Sequence, residues 1–443
     1  MGRRLSSGAS SKLAIDLRAS FWFLPMLSVV AAVALAVGMV ALDRWLGDGL
    51  ARRWPILLAA DADGARELMS TVAGSMITVA GVVFSITIVA LVQASTQYTS
   101  RVLRNFMRDR RNQVVLGLFL GVFAYCLGVM RAITTNGDGG FVPHLAVLAG
   151  EVLVLVAIAV LATFIHHVAA SIQSGAVARS IANDTLHTIE AMFPDALEGD
   201  DVAPGGQGDA GLRWYPVPAP GLGYIESVDL DRLLDFARAH DVVVRMERSV
   251  GDFASPDRPI ASIGTAHAPD PDAMRGLAQL FAIGSYRTIE QDVGFGIRQL
   301  VDVALKGLSP AINDTTTAVT SLDYLSVILR RLAGRRIEPR PLHDGGALRV
   351  VPMGPGFERL LALGLDQIRE NAHGNTAVLL RLLQAIEQIR SGTRSPERLR
   401  MLDAKREVVA EVARRTASCS EALRLIEQQL AGATAACDET TGA

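Results

Sequence analysis

The chain has 443 residues, half of them hydrophobic, with a formal net charge of −2 and a mean hydropathy of +0.30. That balance excludes a chain kept disordered by its charge and a strongly basic nucleic-acid binder. Three scattered cysteines, Cys126, Cys419 and Cys437, form no Cys-x-x-Cys pair, so neither a disulfide framework nor a zinc site is indicated, and no metal or cofactor is implied.

The apolar residues are unevenly placed. Residues 1–178 carry 14 Lys and Arg against 9 Asp and Glu, a net of +5; residues 179–443 carry 29 against 36, a net of −7. The first part holds four charge-poor runs and the second reads as soluble sequence. The expected fold class is therefore an α-helical integral membrane protein with four transmembrane helices and a C-terminal cytoplasmic α+β region.

In chain order, residues 1–20 form a positive N-terminus with Arg3, Arg4, Lys12 and Arg18, followed by Phe21–Leu42, 22 residues without charge. This run exceeds the roughly 7–15-residue apolar core of a signal peptide, and it is read as a membrane anchor. The second span lies within Leu68–Gln93. It belongs to a stretch of 33 residues, Leu68–Ser100, that lacks Asp, Glu, Lys, Arg and His, and Arg101, Arg104, Arg108, Arg110 and Arg111 follow at once. A helix of that length measures roughly 50 Å against a bilayer core of roughly 30 Å, so it is expected to protrude into water on the arginine side. The third span is Val114–Met130. The fourth is Leu145–Ile165 or, in an alternative register, Val152–Ile172. The N-terminus and the 101–113 loop carry the positive excess, which places both termini in the cytoplasm. Residues 21–178 are thus a four-helix transmembrane domain with cytoplasmic helical extensions.

Candidate functional residues follow from this topology. Thr71, Gly74, Thr78, Gly81 and Ser85 fall three and four apart on one stripe of the second span. Such a stripe either packs helices closely or lines a narrow watery path between repeated subunits. Glu151 is either an intramembrane carboxylate or an interfacial one paired with Arg131. Arg101, Arg104, Arg108 and Arg111 set topology or meet anionic lipid head groups. His166 and His167 are adjacent and so face different sides of a helix, which argues against joint metal ligation.

Residues 179–213 read as a helix end and a linker, flexible over 198–211. Residues 214–266 read as a β-rich unit, with a strand at Gly223–Asp229, a helix at Leu230–His240 and a strand at Val242–Arg248. The segment VVVRMERSVGDFASPDRPIASI resembles the barrel-sandwich hybrid of biotinyl and lipoyl carriers, but residues 214–266 contain no lysine to modify, so a structural or docking module is expected. Residues 267–430 read as mainly helical, with helices at Asp270–Ile283, Val293–Leu308, Thr315–Leu332, Gly356–His373, Ala377–Ser391 and Pro396–Leu430. A hairpin near 340–353 interrupts them, and residues 431–443 are expected to be a disordered tail. Within this part Asn313 and Asp314 are either a small polar ligand site or a turn whose aspartate caps the next helix. Phosphate-binding, dinucleotide-binding, zincin, nucleophile-elbow and kinase signatures are missing, so no catalytic residue is assigned and no enzyme is expected.

Three blocks together resemble a bacterial membrane-protein family, domain of unknown function 2254. They are TVAGVVFSITIVALVQASTQYTSRVLRNFMRDRRNQVVLGLFLGVFAYCLGVMR at 78–131, the β unit around Gly251-Asp252, and FGIRQLVDVALKGLSPAINDTTTAV at 295–319. The chain departs from the family pattern at Thr315-Thr316-Thr317 and at Val92-Gln93. The resemblance implies an integral protein of the bacterial cytoplasmic membrane and supplies no activity. The expectation is a homo-oligomeric channel or transport-like protein with a cytoplasmic regulatory or assembly domain, in contact with the lipid bilayer and with no nucleic acid. The alternative is a non-transporting scaffold or sensor that binds a cytoplasmic protein partner.

Overall fold

The computed structural model describes residues 22–46, 61–97, 110–134, 141–171, 174–193, 196, 212–372 and 374–441. The N-terminal residues 1–20, the arginine segment 101–109 and the 198–211 loop lie outside the described residues. The chain divides into two units, Met1–Gln173 and Ser174–Ala443.

The first unit consists of α1 (Phe23–Leu46), α2 (Ala62–Gln97), α3 (Arg110–Ala132) and α4 (His144–Ser171). All four are long and apolar enough to cross a membrane. Helix α2 has 36 residues, or roughly 54 Å at 1.5 Å per residue, which is longer than a bilayer core. Helix α3 packs against each of the other three and is the most buried. Its sequence explains this position. Gly117, Gly121 and Gly128 share a face turned to Pro25, Ser28, Ala32 and Ala36 of α1. A methyl group at Gly117 would lie 2.7 Å from Ser28 Oγ, one at Gly121 3.3 Å from the Ser28 carbonyl, and one at Gly128 3.0 Å from Ala36 Cβ. Where lipid is as apolar as any side chain, this close van der Waals approach holds helices together. Phe119, Val122, Tyr125, Val129, Met69 and Phe164 fill the middle of the bundle, and Cys126 is a small buried member of that core.

The second unit opens with α5 (Ser174–Met192). It continues through β1 (Arg213–Pro218), β2 (Gly223–Val228), α6 (Leu230–His240), β3 (Val243–Met246), β4 (Phe253–Ala254), β5 (Pro259–Thr265), α7 (Pro271–Ala278) and β6 (Phe281–Gly284). Then come α8 (Val293–Leu308), α9 (Thr315–Ala333), the hairpin β7 (Leu342–Asp344) and β8 (Ala347–Val351), α10 (Phe357–Asn371), α11 (Thr376–Arg390), α12 (Pro396–Thr416) and α13 (Ser420–Thr441).

The β-rich part is two sheets, ordered β1-β5-β3-β8-β7 and β4-β2-β6. The described strands close no barrel, which corrects the barrel-sandwich expectation. The physical reason is the pairing of β3. One of its edges takes β5 and the other takes β8 in parallel, so a hairpin from 342–351 extends the sheet instead of letting it curl onto itself. The second sheet likewise recruits a distant segment. The apolar spacing of Asp270–Ile283 suggests one helix, yet α7 stops at Ala278 and Phe281–Gly284 pairs antiparallel with β2, burying Phe281. Both sheets share a core with α6 and α7, built from Ile225, Leu233, Val244, Ile260, Leu277 and Val350.

Helix α8 is buried along most of its length and packs on α5, α9 and α10. Gly296 permits the α5 crossing, since a methyl group there would lie 2.0 Å from Thr185 Oγ1. The predicted single helix Pro396–Leu430 is two helices, because Ala417 adopts an extended backbone (ψ 122°) and breaks the hydrogen-bond ladder. The predicted tail after residue 430 instead continues α13 to Thr441.

Candidate functional site

Helix α2 has two faces of different character. Ala65, Met69, Ala73, Met76, Ala80 and Val83 recur at three- and four-residue intervals and are buried. Thr71, Gly74, Thr78, Gly81 and Ser85 all lie on exposed positions, turned away from the other three helices. Around Gly74 and Gly81 there is open space, so the outer face is flat enough for another backbone to approach. Its hydroxyls are satisfied locally: Ser75 Oγ donates to the Thr71 carbonyl at 2.8 Å and Thr78 Oγ1 to the Gly74 carbonyl at 2.8 Å. Such back-bonding lets a hydroxyl sit in an apolar setting without an unsatisfied donor. The stripe therefore does not pack the helices of its own bundle, and it does not line that bundle's interior, which apolar side chains occupy. The packing stripe within the chain is Gly117, Gly121 and Gly128 on α3, a repeat of small residues visible in the sequence at spacings of four and seven.

One end of the bundle is tied together by charged residues. Asp43 accepts from the Leu145 and Ala146 amides, both at 3.0 Å, and so caps α4. Arg44 lies 5.3 Å over the Phe141 ring, and Arg66 Nη2 donates to the Ile133 carbonyl at 2.9 Å. Tyr125 is buried and spends its hydroxyl on the Ala146 carbonyl at 2.8 Å. Arg131 and Glu151 are both exposed, and no ion pair joins them. The pairing fails for a helical reason: Gly150 faces Met69 and Tyr125 in the core, and Glu151, one residue on, is rotated to the outside of α4. Arg131 instead lines, with Arg44, Val37, Val40 and Gly128, a groove of about 390 Å³ between α1 and α3. Arg111 is exposed near the opposite end of α3, with Nη1 3.3 Å from His167 Nδ1. Arg101, Arg104 and Arg108 lie outside the described residues.

In the second unit, Asn313 and Asp314 build a turn. Asn313 adopts a left-handed backbone (φ 48°), and Asp314 caps α9 by accepting from the Thr317 amide at 3.0 Å and hydroxyl at 2.6 Å. These bonds from Thr317 hold the Asp314 carboxyl below the usual carboxylate range. The polar run that precedes α8 is structural in the same way. Asp292 is buried, caps α8 through the Phe295 amide at 3.0 Å and accepts from Arg287 Nε at 2.8 Å. Burial pushes its carboxyl up, and the Arg287 guanidinium only partly opposes that. Gly251 (φ 88°) is required beside it, because a methyl group there would lie 2.1 Å from Asp292 Oδ2. Among the described residues no three His, Cys, Asp or Glu side chains are gathered to hold a metal.

Sequence reasoning missed two arginine sites near the end of α9. Arg398, 4% exposed, donates through Nη1 to the carbonyls of Leu332, Ala333 and Arg335 at 2.7–3.0 Å and through Nη2 to both oxygens of Glu338 at 2.9 Å. It thereby adds a donor to carbonyls at the C-terminus of α9, among which Leu332 also accepts from the Arg335 amide at 3.0 Å. Arg331 and Arg335 hold Glu190 of α5. The available signal was the run Arg330-Arg331-Leu332-Ala333-Gly334-Arg335-Arg336 itself.

The model of the family described as "Predicted membrane protein (DUF2254)" matches residues 18–388. The chain belongs to this family. Its relatives include Uncharacterized protein MT1328 of Mycobacterium tuberculosis strain CDC 1551 and Uncharacterized protein Mb1321c of Mycobacterium bovis. Each is 34% identical over 361 residues, covering 79% of this chain and 68% of the relative. No solved structure matches the chain. The family and the four apolar helices together make it a membrane protein of unknown function, in contact with a lipid bilayer.

Proposed function

We propose that the protein is a homo-oligomeric channel or transport-like protein of the bacterial cytoplasmic membrane, with both termini in the cytoplasm. In this reading α2 of each copy turns its Thr71–Ser85 stripe to a shared axis, and the C-terminal unit assembles or regulates the complex without catalysing a reaction. One observation carries it: the hydroxyl- and glycine-bearing stripe of α2 is exposed, while the bundle's own interior is filled by Phe119, Tyr125 and Phe164. A path through a single copy has no room, so a path requires several.

The test combines cross-linking and flux. Gly81→Cys in a chain whose Cys419 and Cys437 are replaced by Ser should cross-link between copies in native membranes. Purified protein in liposomes should pass ions or small solutes, and Thr78→Leu should reduce that flux. Monomers without cross-links, together with silent liposomes across a panel of ions, would refute it. The bonds from Ser75 and Thr78 to their own helix favour a second reading, in which α2 packs dry between copies of a non-transporting scaffold or sensor for a cytoplasmic partner. That reading predicts the cross-link without the flux.

A further inference from the structure

Helices α1 and α3 run parallel, since Pro25, Ser28 and Ala36 meet Gly117, Gly121 and Gly128 in the same order along both. They therefore end on the same side of the bundle, and each carries an arginine in its last turn, Arg44 on α1 and Arg131 on α3. At the last of these contacts a methyl group on Gly128 would lie 3.0 Å from Ala36 Cβ. From this point to the helix ends runs the groove of about 390 Å³, walled by Val37, Val40, Ala41 and Ala132 and edged by the two arginines. Val37, Ala41, Arg44 and Arg131 are exposed, so the groove faces whatever surrounds the bundle. Around helices that cross a bilayer, that is lipid.

Arg131 lies 20 residues beyond Arg111, or roughly 30 Å along α3. The groove thus stands at the end of the bundle opposite the arginine-rich stretch that leads into α3. Arginines that set topology gather on one side of a membrane, and these two are on the other. The helix dipole favours a cation in a last turn, which suffices for each arginine alone. It does not account for two of them edging one apolar groove. Arg44 lies 5.3 Å over the Phe141 ring, a contact that leaves its N–H groups without a carboxylate of their own. Asp43, its neighbour, spends both oxygens on the Leu145 and Ala146 amides. Among the described residues no carboxylate lines the groove. Asp48 and Asp138, in the segments that follow the two helices, lie outside the described residues.

We propose that this groove binds one anionic phospholipid of the bilayer. The lipid phosphate takes Arg44 and Arg131, and one acyl chain lies along Val37, Val40 and Ala41. Planar guanidiniums pair with phosphate oxygens two at a time. At a helix end their long stems cover apolar surface while the charges stay at head-group level. Val37 stands seven residues before Arg44, roughly 10 Å deeper along α1, which is the direction an acyl chain takes from its phosphate. A zwitterionic head group would bring an ammonium to two guanidiniums and no lining carboxylate, so the site selects net negative charge. The bound lipid then bridges α1 and α3 beyond the reach of the Gly117–Gly128 contact. The inference goes beyond the assembly reading and is tested without flux, so its failure leaves the α2 proposal standing.

The experiment is native mass spectrometry of the delipidated full chain in detergent, titrated with dioleoylphosphatidylglycerol, dioleoylphosphatidylethanolamine and glycerol phosphate. One phosphatidylglycerol should bind about tenfold more tightly than phosphatidylethanolamine, and millimolar glycerol phosphate should not displace it. Arg131→Gln should weaken that binding about tenfold, as loss of one charged hydrogen-bond partner implies. Arg131→Lys should weaken it less, and neither variant should change the melting temperature without lipid. Ala41→Leu fills the groove, leaves both arginines in place and should also weaken binding. Replacing Arg101 and Arg104 by Gln should leave the tight lipid bound. Equal binding of the two lipids, displacement by glycerol phosphate, or indifference to Arg131→Gln or to Ala41→Leu overturns the proposal. So does loss of the tight lipid on replacing Arg101 and Arg104. A native chain that binds no phosphatidylglycerol, beside an Asp48→Asn, Asp138→Asn variant that does, identifies carboxylates of the chain itself as the partners of the arginines and overturns it as well.

Discussion

Helices α2 and α3 carry the same kind of signal, small residues at helical spacing, yet among the described residues only one stripe has a partner inside the chain. On α3, Gly117, Gly121 and Gly128 meet α1 at van der Waals distance. On α2, Gly74 and Gly81 meet nothing. A stripe of small residues states that close approach costs little; it does not state what approaches. The arginines repeat the contrast. Arg398 is enclosed by three carbonyls and a carboxylate, whereas Arg131 stands exposed at a groove.

The largest effect should come from the enclosed arginine. Arg398→Ala takes the guanidinium from the carbonyls of Ala333 and Arg335, while Leu332 keeps the Arg335 amide, and should cost about 2–4 kcal/mol of C-terminal-unit stability, at about 1–3 kcal/mol per lost partner with partial rescue by water. Denaturant unfolding in detergent measures it, and a cost below about 1 kcal/mol would show that water replaces the guanidinium fully. Next comes the partnered stripe. Gly121→Leu drives a side chain into the Ser28 backbone and should cost about 1–3 kcal/mol through overpacking, seen as a lower melting temperature of the membrane unit. Removing the α9 cap with Asp314→Ala should cost about 0.5–2 kcal/mol near neutral pH. Because the folded Asp314 carboxyl titrates below its ordinary range, the stability it adds is present above about pH 4 and is lost on further acidification. The gap between native and variant proteins should therefore close as pH falls below that value, and a gap that widens instead would contradict the cap. The smallest effect on folding belongs to the open stripe. Gly81→Leu should change monomer stability by no more than about 0.5 kcal/mol while abolishing the cross-linking between copies that a cysteine placed at Gly74 reports. If Gly81→Leu destabilises as much as Gly121→Leu, the two stripes are alike and the comparison fails.

Much of the fold was legible. The four spans follow from uncharged runs, the α6 and α8 boundaries from apolar spacing, and Asp314 from its place before Thr315–Thr317. The errors have physical causes. Phe281–Gly284 continues a helical apolar pattern but becomes a strand because the edge of β2 offers hydrogen bonds that a helix end does not. The barrel expectation failed because β3 pairs with a hairpin about a hundred residues away, and local patterning holds no record of a partner at that distance. Arg131 and Glu151 were joined by charge and topology, yet the rotation of α4 separates them. Arg398 and Glu190 carried no motif, since their roles depend on carbonyls and guanidiniums that only folding brings near.

The sequence by itself determined which segments enter the membrane, because burying charge and unpaired backbone in hydrocarbon is expensive enough to be written into composition. It likewise marked Asp314 as the cap of α9. The tertiary structure decided which face of each helix found a partner. That choice left the α2 stripe outside, closed α3 onto α1, and set Glu190 of α5 against the arginines of α9. Rotation about a helix axis and pairing across long loops depend on contacts between distant segments, which no local pattern of residues specifies.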